Sequence, residues 1–133
     1  MHKLLLSLLL FVSQVTHATD SPLIGRLAST PVQPFNQQIR TAQSQPWVMD
    51  YRQVARRFIG QSVPDAQIQS QPLGSDMVLT ITLAGTQGER LYLLTLYRQN
   101  RLWLLRHAET GWLCQDEPAY RPFPCPPAPS ARR

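Results

Sequence analysis

Arg106, His107, Glu109 and Thr110 lie within one short run, LLRHAETGW (104–112), with Cys114 just beyond it and Cys125 further on. Three chemistries could use these residue types. An imidazole beside a guanidinium can accept a phosphoryl group or shuttle a proton. A histidine with two thiolates and a carboxylate from Asp116 or Glu117 could hold a soft metal. Two cysteines alone can close a disulfide. Each makes a different demand on the rest of the chain.

The run resembles the signature of the histidine phosphatase and phosphoglycerate mutase family. The matching residues are Leu105, Arg106, His107, Glu109 and Thr110, with Ala108 where that family carries glycine. The apolar lead-in Leu102-Trp103-Leu104-Leu105 suits the strand that such a motif ends. The resemblance implies a phosphoryl-accepting nucleophile at His107, and it spans about ten residues. The family also supplies a second histidine and a further arginine from far downstream, to move the proton and neutralise the transferred phosphate. Here no histidine follows His107, and His2 and His17 stand at the other end of the chain. The residues after His107 are few and proline-rich, so they have no room for alternating strands and helices. We therefore expect no catalytic residues, no cofactor and no enzymatic activity.

The metal reading fares little better. The spacing of His107, Cys114 and Cys125 matches no compact zinc pattern. Cys114 and Cys125 are the only cysteines, and an even pair in an exported chain favours a disulfide. Its short loop would stabilise the fold by about 3 kcal/mol on the chain-entropy model.

Export is read from the start of the chain. Met-His-Lys precedes the apolar run LLLSLLLFV and the polar SQVTHA, the pattern of a secretory signal over residues 1–18 cut after Ala18. The run is shorter than the roughly 20 apolar residues that a span needs, and no later segment is long and apolar enough. A periplasmic or secreted location follows. The net charge is +5, and Lys3 is the only lysine among thirteen basic residues. Scattered arginine forks fit either a biased composition or a surface for phosphate and carboxylate.

The elements that would position these residues can be read from periodicity. Residues 19–45 carry three prolines and many glutamines with no sustained period, and read as a linker or N-terminal arm. LIGRLA and FNQQI are its points of attachment. An α+β domain follows over 46–115. Residues 46–59 place Trp47, Val48, Tyr51, Ala55, Phe58 and Ile59 at three- and four-residue spacing, which predicts one amphipathic helix. Ser44 would be its N-cap, Asp50 and Arg56-Arg57 suit its dipole, and Gly60 its C-terminal cap. Period two then takes over. DAQIQSQ (65–71) alternates weakly, MVLTITL (77–83) strongly, and RLYLLTLYR (90–98) and RLWLLRH (101–107) return as strands. Gln99 and Asn100 make a two-residue link. AETG reads as a turn before a short segment carrying Cys114. Trp103, Leu105 and His107 would share one face. Residues 116–133 form a proline-rich tail tethered by the disulfide, with its end disordered.

The expected fold is α+β: one amphipathic helix on an antiparallel meander of about four strands. That element order is similar to the cystatin-like and nuclear-transport-factor-like architectures, a likeness of order alone. The central strands are apolar on both faces, so the second face must meet the arm, the tail or a partner. The function expected is that of a small, non-enzymatic binding or accessory protein of the bacterial cell envelope with a protein partner. A secreted inhibitor or effector, and a polyanion binder, are the alternatives.

Overall fold

The computed structural model describes residues 25–127, so the expected leader and the last residues of the tail lie outside it. The elements are β1 (Ala28–Ser29), α1 (Gln33–Thr41), α2 (Tyr51–Ile59), β2 (Ile68–Leu73), β3 (Asp76–Gly85), β4 (Gly88–Gln99) and β5 (Leu102–Cys114), with short 3-10 turns before α2 and β2. The five strands form one antiparallel sheet in the order β1-β5-β4-β3-β2. The α+β meander is thus present, with two helices where one was expected and five strands where about four were.

Each hairpin link is two residues long. Gly74 and Asn100 take the positive φ that tight hairpin turns demand, at 61° and 58°. The last link is Asn100-Arg101, one residue later than the alternation suggested.

One face of the sheet carries the core. Leu79 and Ile81 of β3 stand opposite Leu94 and Tyr92 of β4, and Leu96 stands opposite Leu105 of β5. These residues are buried, and Ile39 of α1 with Val54 and Ala55 of α2 close over them. Arg56 of α2 is tied back by its Nε to the Val63 carbonyl at 2.8 Å and by an ion pair to Asp65.

The expected 46–59 helix begins later than its apolar spacing implied. Pro46–Met49 winds as a 3-10 turn. Asp50, in extended backbone, then caps α2 by accepting a hydrogen bond from the Arg52 amide at 2.9 Å. Capping by the Asp50 carboxylate, rather than by Ser44, sets the start. Gly60 ends the helix in the left-handed region at φ 78°, as expected.

Within the segment expected as a linker or N-terminal arm, the described residues carry β1 and α1. α1 lacks a side-chain cap, since Val32 stands at its N-cap, and its sequence QPFNQQIRT is mostly polar. It folds because Phe35 and Ile39 pack into the core and because Asn36 has a buried role. The expected attachment through FNQQI is therefore a helix.

The AETG turn does not form. β5 runs unbroken to Cys114, and β1 pairs with it there, Ala28 opposite Thr110 and Ser29 opposite Glu109. The irregularity lies one step earlier. Leu96 opposes Leu105 while Thr95 opposes His107, so Arg106 is the extra residue of a β-bulge. The bulge overturns the expected face: Trp103 and Leu105 stay on the helix side, and His107 moves to the opposite side with Thr95.

At the start of β4 the opposite side is covered by the chain's own ends. Tyr120, 7% exposed, packs against Gly111 together with Leu27, and its hydroxyl donates to the Glu89 carboxylate. Arg121 exchanges two backbone hydrogen bonds of 2.9 Å with Trp112. The Cys114–Cys125 disulfide, with Cα atoms 5.5 Å apart, fastens this segment.

Candidate functional site

The residues singled out in the sequence fall into two places: Arg106, His107 and Glu109 around the bulge, and Cys114 with Cys125 beyond it. Cys114 and Cys125 are joined, so both thiols are consumed. Arg106 is turned to Asp76, donating from Nε at 2.8 Å and from a terminal nitrogen at 3.1 Å, and it lies over the Tyr97 ring at 4.4 Å. The Asp76 hydrogen bond holds its pKa above the ordinary arginine value. Two of its three guanidinium nitrogens are thus engaged by Asp76. His107 itself is exposed, beside a shallow cleft of about 210 Å³ that it shares with Arg106, Glu109 and the Ser29–Val32 segment.

A depression of about 600 Å³ lies between the β3–β4 turn and the end of β5. Its carboxylates are partly spoken for: Glu117 pairs with Arg121 at 3.0 Å and Glu89 accepts from Tyr120. Burial, reinforced by the Glu89 hydrogen bond, pushes the Tyr120 phenol well above its ordinary range. This corner fastens the Tyr120–Cys125 segment to the start of β4 and the end of β5.

What sequence reading missed is how the arginines divide. Arg56, Arg106 and Arg121 pair with carboxylates. Arg52, Arg57, Arg90 and Arg98 have no carboxylate partner among the described residues and are laid instead on aromatic rings. Arg57 lies 4.5 Å from the Trp47 ring centre. Arg90 lies 4.6 Å from Tyr92 and 5.1 Å from Trp112. Burial raises the Tyr92 phenol, and the Arg90 charge partly offsets that rise.

Arg52 and Arg98 belong to one row. The Arg52 guanidinium is 5.4 Å from the Tyr51 ring, Tyr51 meets Trp103 edge-on at 5.5 Å, and Arg98 is 5.9 Å from Trp103. Helix α2 supplies Tyr51 and Arg52. Strands β4 and β5 supply Arg98 and Trp103, which the hairpin register places directly opposite each other. The Tyr51 hydroxyl reaches Ser70 Oγ on β2 at 3.4 Å, so the row extends to the edge of the sheet. A cation–π contact at these distances leaves the terminal donors of each fork free. The row can therefore offer charge-assisted hydrogen bonds to carboxylate or phosphate, flanked by aromatic surface. The sequence signal was available in principle: tryptophan, tyrosine and arginine in neighbouring elements. The β4–β5 register and the packing of α2 on the sheet bring them together.

Comparison with protein-family models, with curated proteins and with solved structures gives no match for this chain.

Proposed function

We propose that this chain is a small, non-enzymatic binding or accessory protein of the cell envelope, periplasmic or secreted, that holds a protein partner through the Arg52–Tyr51–Trp103–Arg98 row. The row itself carries the reading. Arginine, tryptophan and tyrosine are the residues that dominate binding energy at protein interfaces, and fixed side chains lose little entropy on binding. Two guanidinium groups without carboxylate partners at the ends of the row call for acidic groups on the partner. The Cys114–Cys125 disulfide supports an oxidising compartment.

The polyanion alternative draws on the same forks, and salt distinguishes the two. A polyanion held mainly by charge loses affinity steeply as ionic strength rises, whereas an aromatic-centred protein contact keeps most of it. The test is cross-linked capture from the native envelope with wild type and with Arg52→Ala/Arg98→Ala, at low and high salt. A partner captured by wild type and lost in the double variant supports the reading. Equal capture by both contradicts it.

A further inference from the structure

The two edges of the sheet are treated differently. The β5 edge is occupied from Leu105 to Trp112: by Asn36 at Leu105, by Thr30 and β1 at Ala108 to Thr110, and by Arg121 at Trp112. Among the described residues the β2 edge has no such cover. Its strand, IQSQPL, is uncharged, and all of it beyond Ile68 is exposed. Proteins usually guard an open edge with charge, a bulge or a covering segment. Here the one guard within the strand is Pro72.

The hairpin register says which groups the edge offers. Leu73 and Asp76 flank the two-residue Gly74-Ser75 link and form its hydrogen-bonded pair. Gln71 and Gln69 therefore bond to β3, while Pro72, Ser70 and Ile68 direct their main-chain groups outward. Pro72 has no N–H, and the Ile68 N–H is taken by the Asp65 carbonyl. The edge thus presents one main-chain donor, the Ser70 N–H, and three acceptors, the carbonyls of Ile68, Ser70 and Pro72.

We propose that β2 accepts an extended, acidic segment of the partner polypeptide as an added antiparallel strand centred on Ser70. This deepens the binding role proposed above and rests on it for the acidic character of the partner. A residue opposite Ser70 exchanges two hydrogen bonds with it, and the residues two before and two after donate to the carbonyls of Pro72 and Ile68. Their side chains emerge on the face where Tyr51 touches Ser70, beside Arg52. Charge selects this occupant over a second copy. Pairing two copies about Ser70 would bring Tyr51 and its neighbour Arg52 of each copy to the same seam, in a chain of net charge +5.

The probe is the capped peptide (Glu-Thr)4, measured by fluorescence anisotropy against the whole protein. Two relatives share its charge: one N-methylated at the glutamates, one at the threonines. Binding by the parent, lost on methylating one alternate set and kept on methylating the other, is expected of strand addition. Ser70→Pro removes a donor that β3 does not use and should weaken binding by about tenfold, with thermal unfolding confirming the fold. Arg52→Ala tests the charge reading separately. Loss with Ser70→Pro but not with Arg52→Ala keeps the edge and discards the acidic partner. Loss with Arg52→Ala alone, or equal binding of both methylated peptides, overturns strand addition. A dimer in light scattering that Ser70→Pro dissolves, with no peptide binding, assigns the edge to a second copy and also overturns it.

Discussion

The side-chain amide of Asn36 clasps the backbone of Leu105 from both sides. Its Nδ2 donates to the Leu105 carbonyl and its Oδ1 accepts from the Leu105 N–H, each at 2.8 Å. Asn36 is 1% exposed, in a helix built mostly of polar residues. One carboxamide thus does the work of a neighbouring strand at the position just before the Arg106 bulge, and it fixes α1 against β5. Asn36→Ala leaves a buried N–H and a buried carbonyl unpaired, so urea unfolding should show a loss of about 2–4 kcal/mol. Asn36→Asp should also destabilise, because one carboxylate oxygen then faces the Leu105 carbonyl. Unchanged stability in either variant would contradict this role.

Reducing the Cys114–Cys125 bridge should release the Tyr120–Arg121 segment from β5 and Glu89. The chain-entropy model gives a cost of about 3 kcal/mol. Intact mass after alkylation, with and without reductant, checks the bridge in the natively exported protein. Two freely alkylated thiols without reductant would exclude it. Unfolding of Cys114→Ser/Cys125→Ser checks the cost.

The Tyr120 phenol gives a prediction at alkaline pH. Its folded pKa lies above the unfolded value, because burial and the Glu89 carboxylate disfavour the phenolate. The stability it contributes is therefore fully present below about pH 10, the unfolded value. It is lost as pH rises from there through the folded pKa. Absorbance titration should show a late-ionising tyrosine that disappears in Tyr120→Phe. A wild-type titration unchanged by that substitution would refute the assignment.

His107 should be dispensable. With Arg106 held by Asp76, no phosphatase turnover is expected from the wild type, and His107→Ala should leave stability within about 0.5 kcal/mol, as for an exposed site. Turnover that vanishes in His107→Ala would restore the phosphatase reading.

The meander was legible because period two survives in β3, β4 and most of β5, with hairpin links between them. The Asp50 cap and α1 were less so. Asn36 reads as a polar interruption until its partner at Leu105 is known, and Val32 offers no capping signal. Nothing in RLWLLRH marks the bulge, yet that single extra residue decides which face His107 occupies. Glu109 to Gly111 suggested a turn because polar and glycine residues are usual there. On β5 they instead pair with β1 and make room for Tyr120. The arginine–aromatic row was out of reach for the same reason: Tyr51, Trp103 and Arg98 meet only through tertiary packing.

The proposed grip on the partner runs through Arg52 and Arg98, beside Tyr51 and Trp103. Capture from the native envelope, quantified for wild type and Arg52→Ala/Arg98→Ala of equal thermal stability, tests it most directly. Loss of at least about tenfold in the partner recovered is expected from removing two interface hot spots. Recovery of the same partner in equal amount would place the binding surface elsewhere on the molecule.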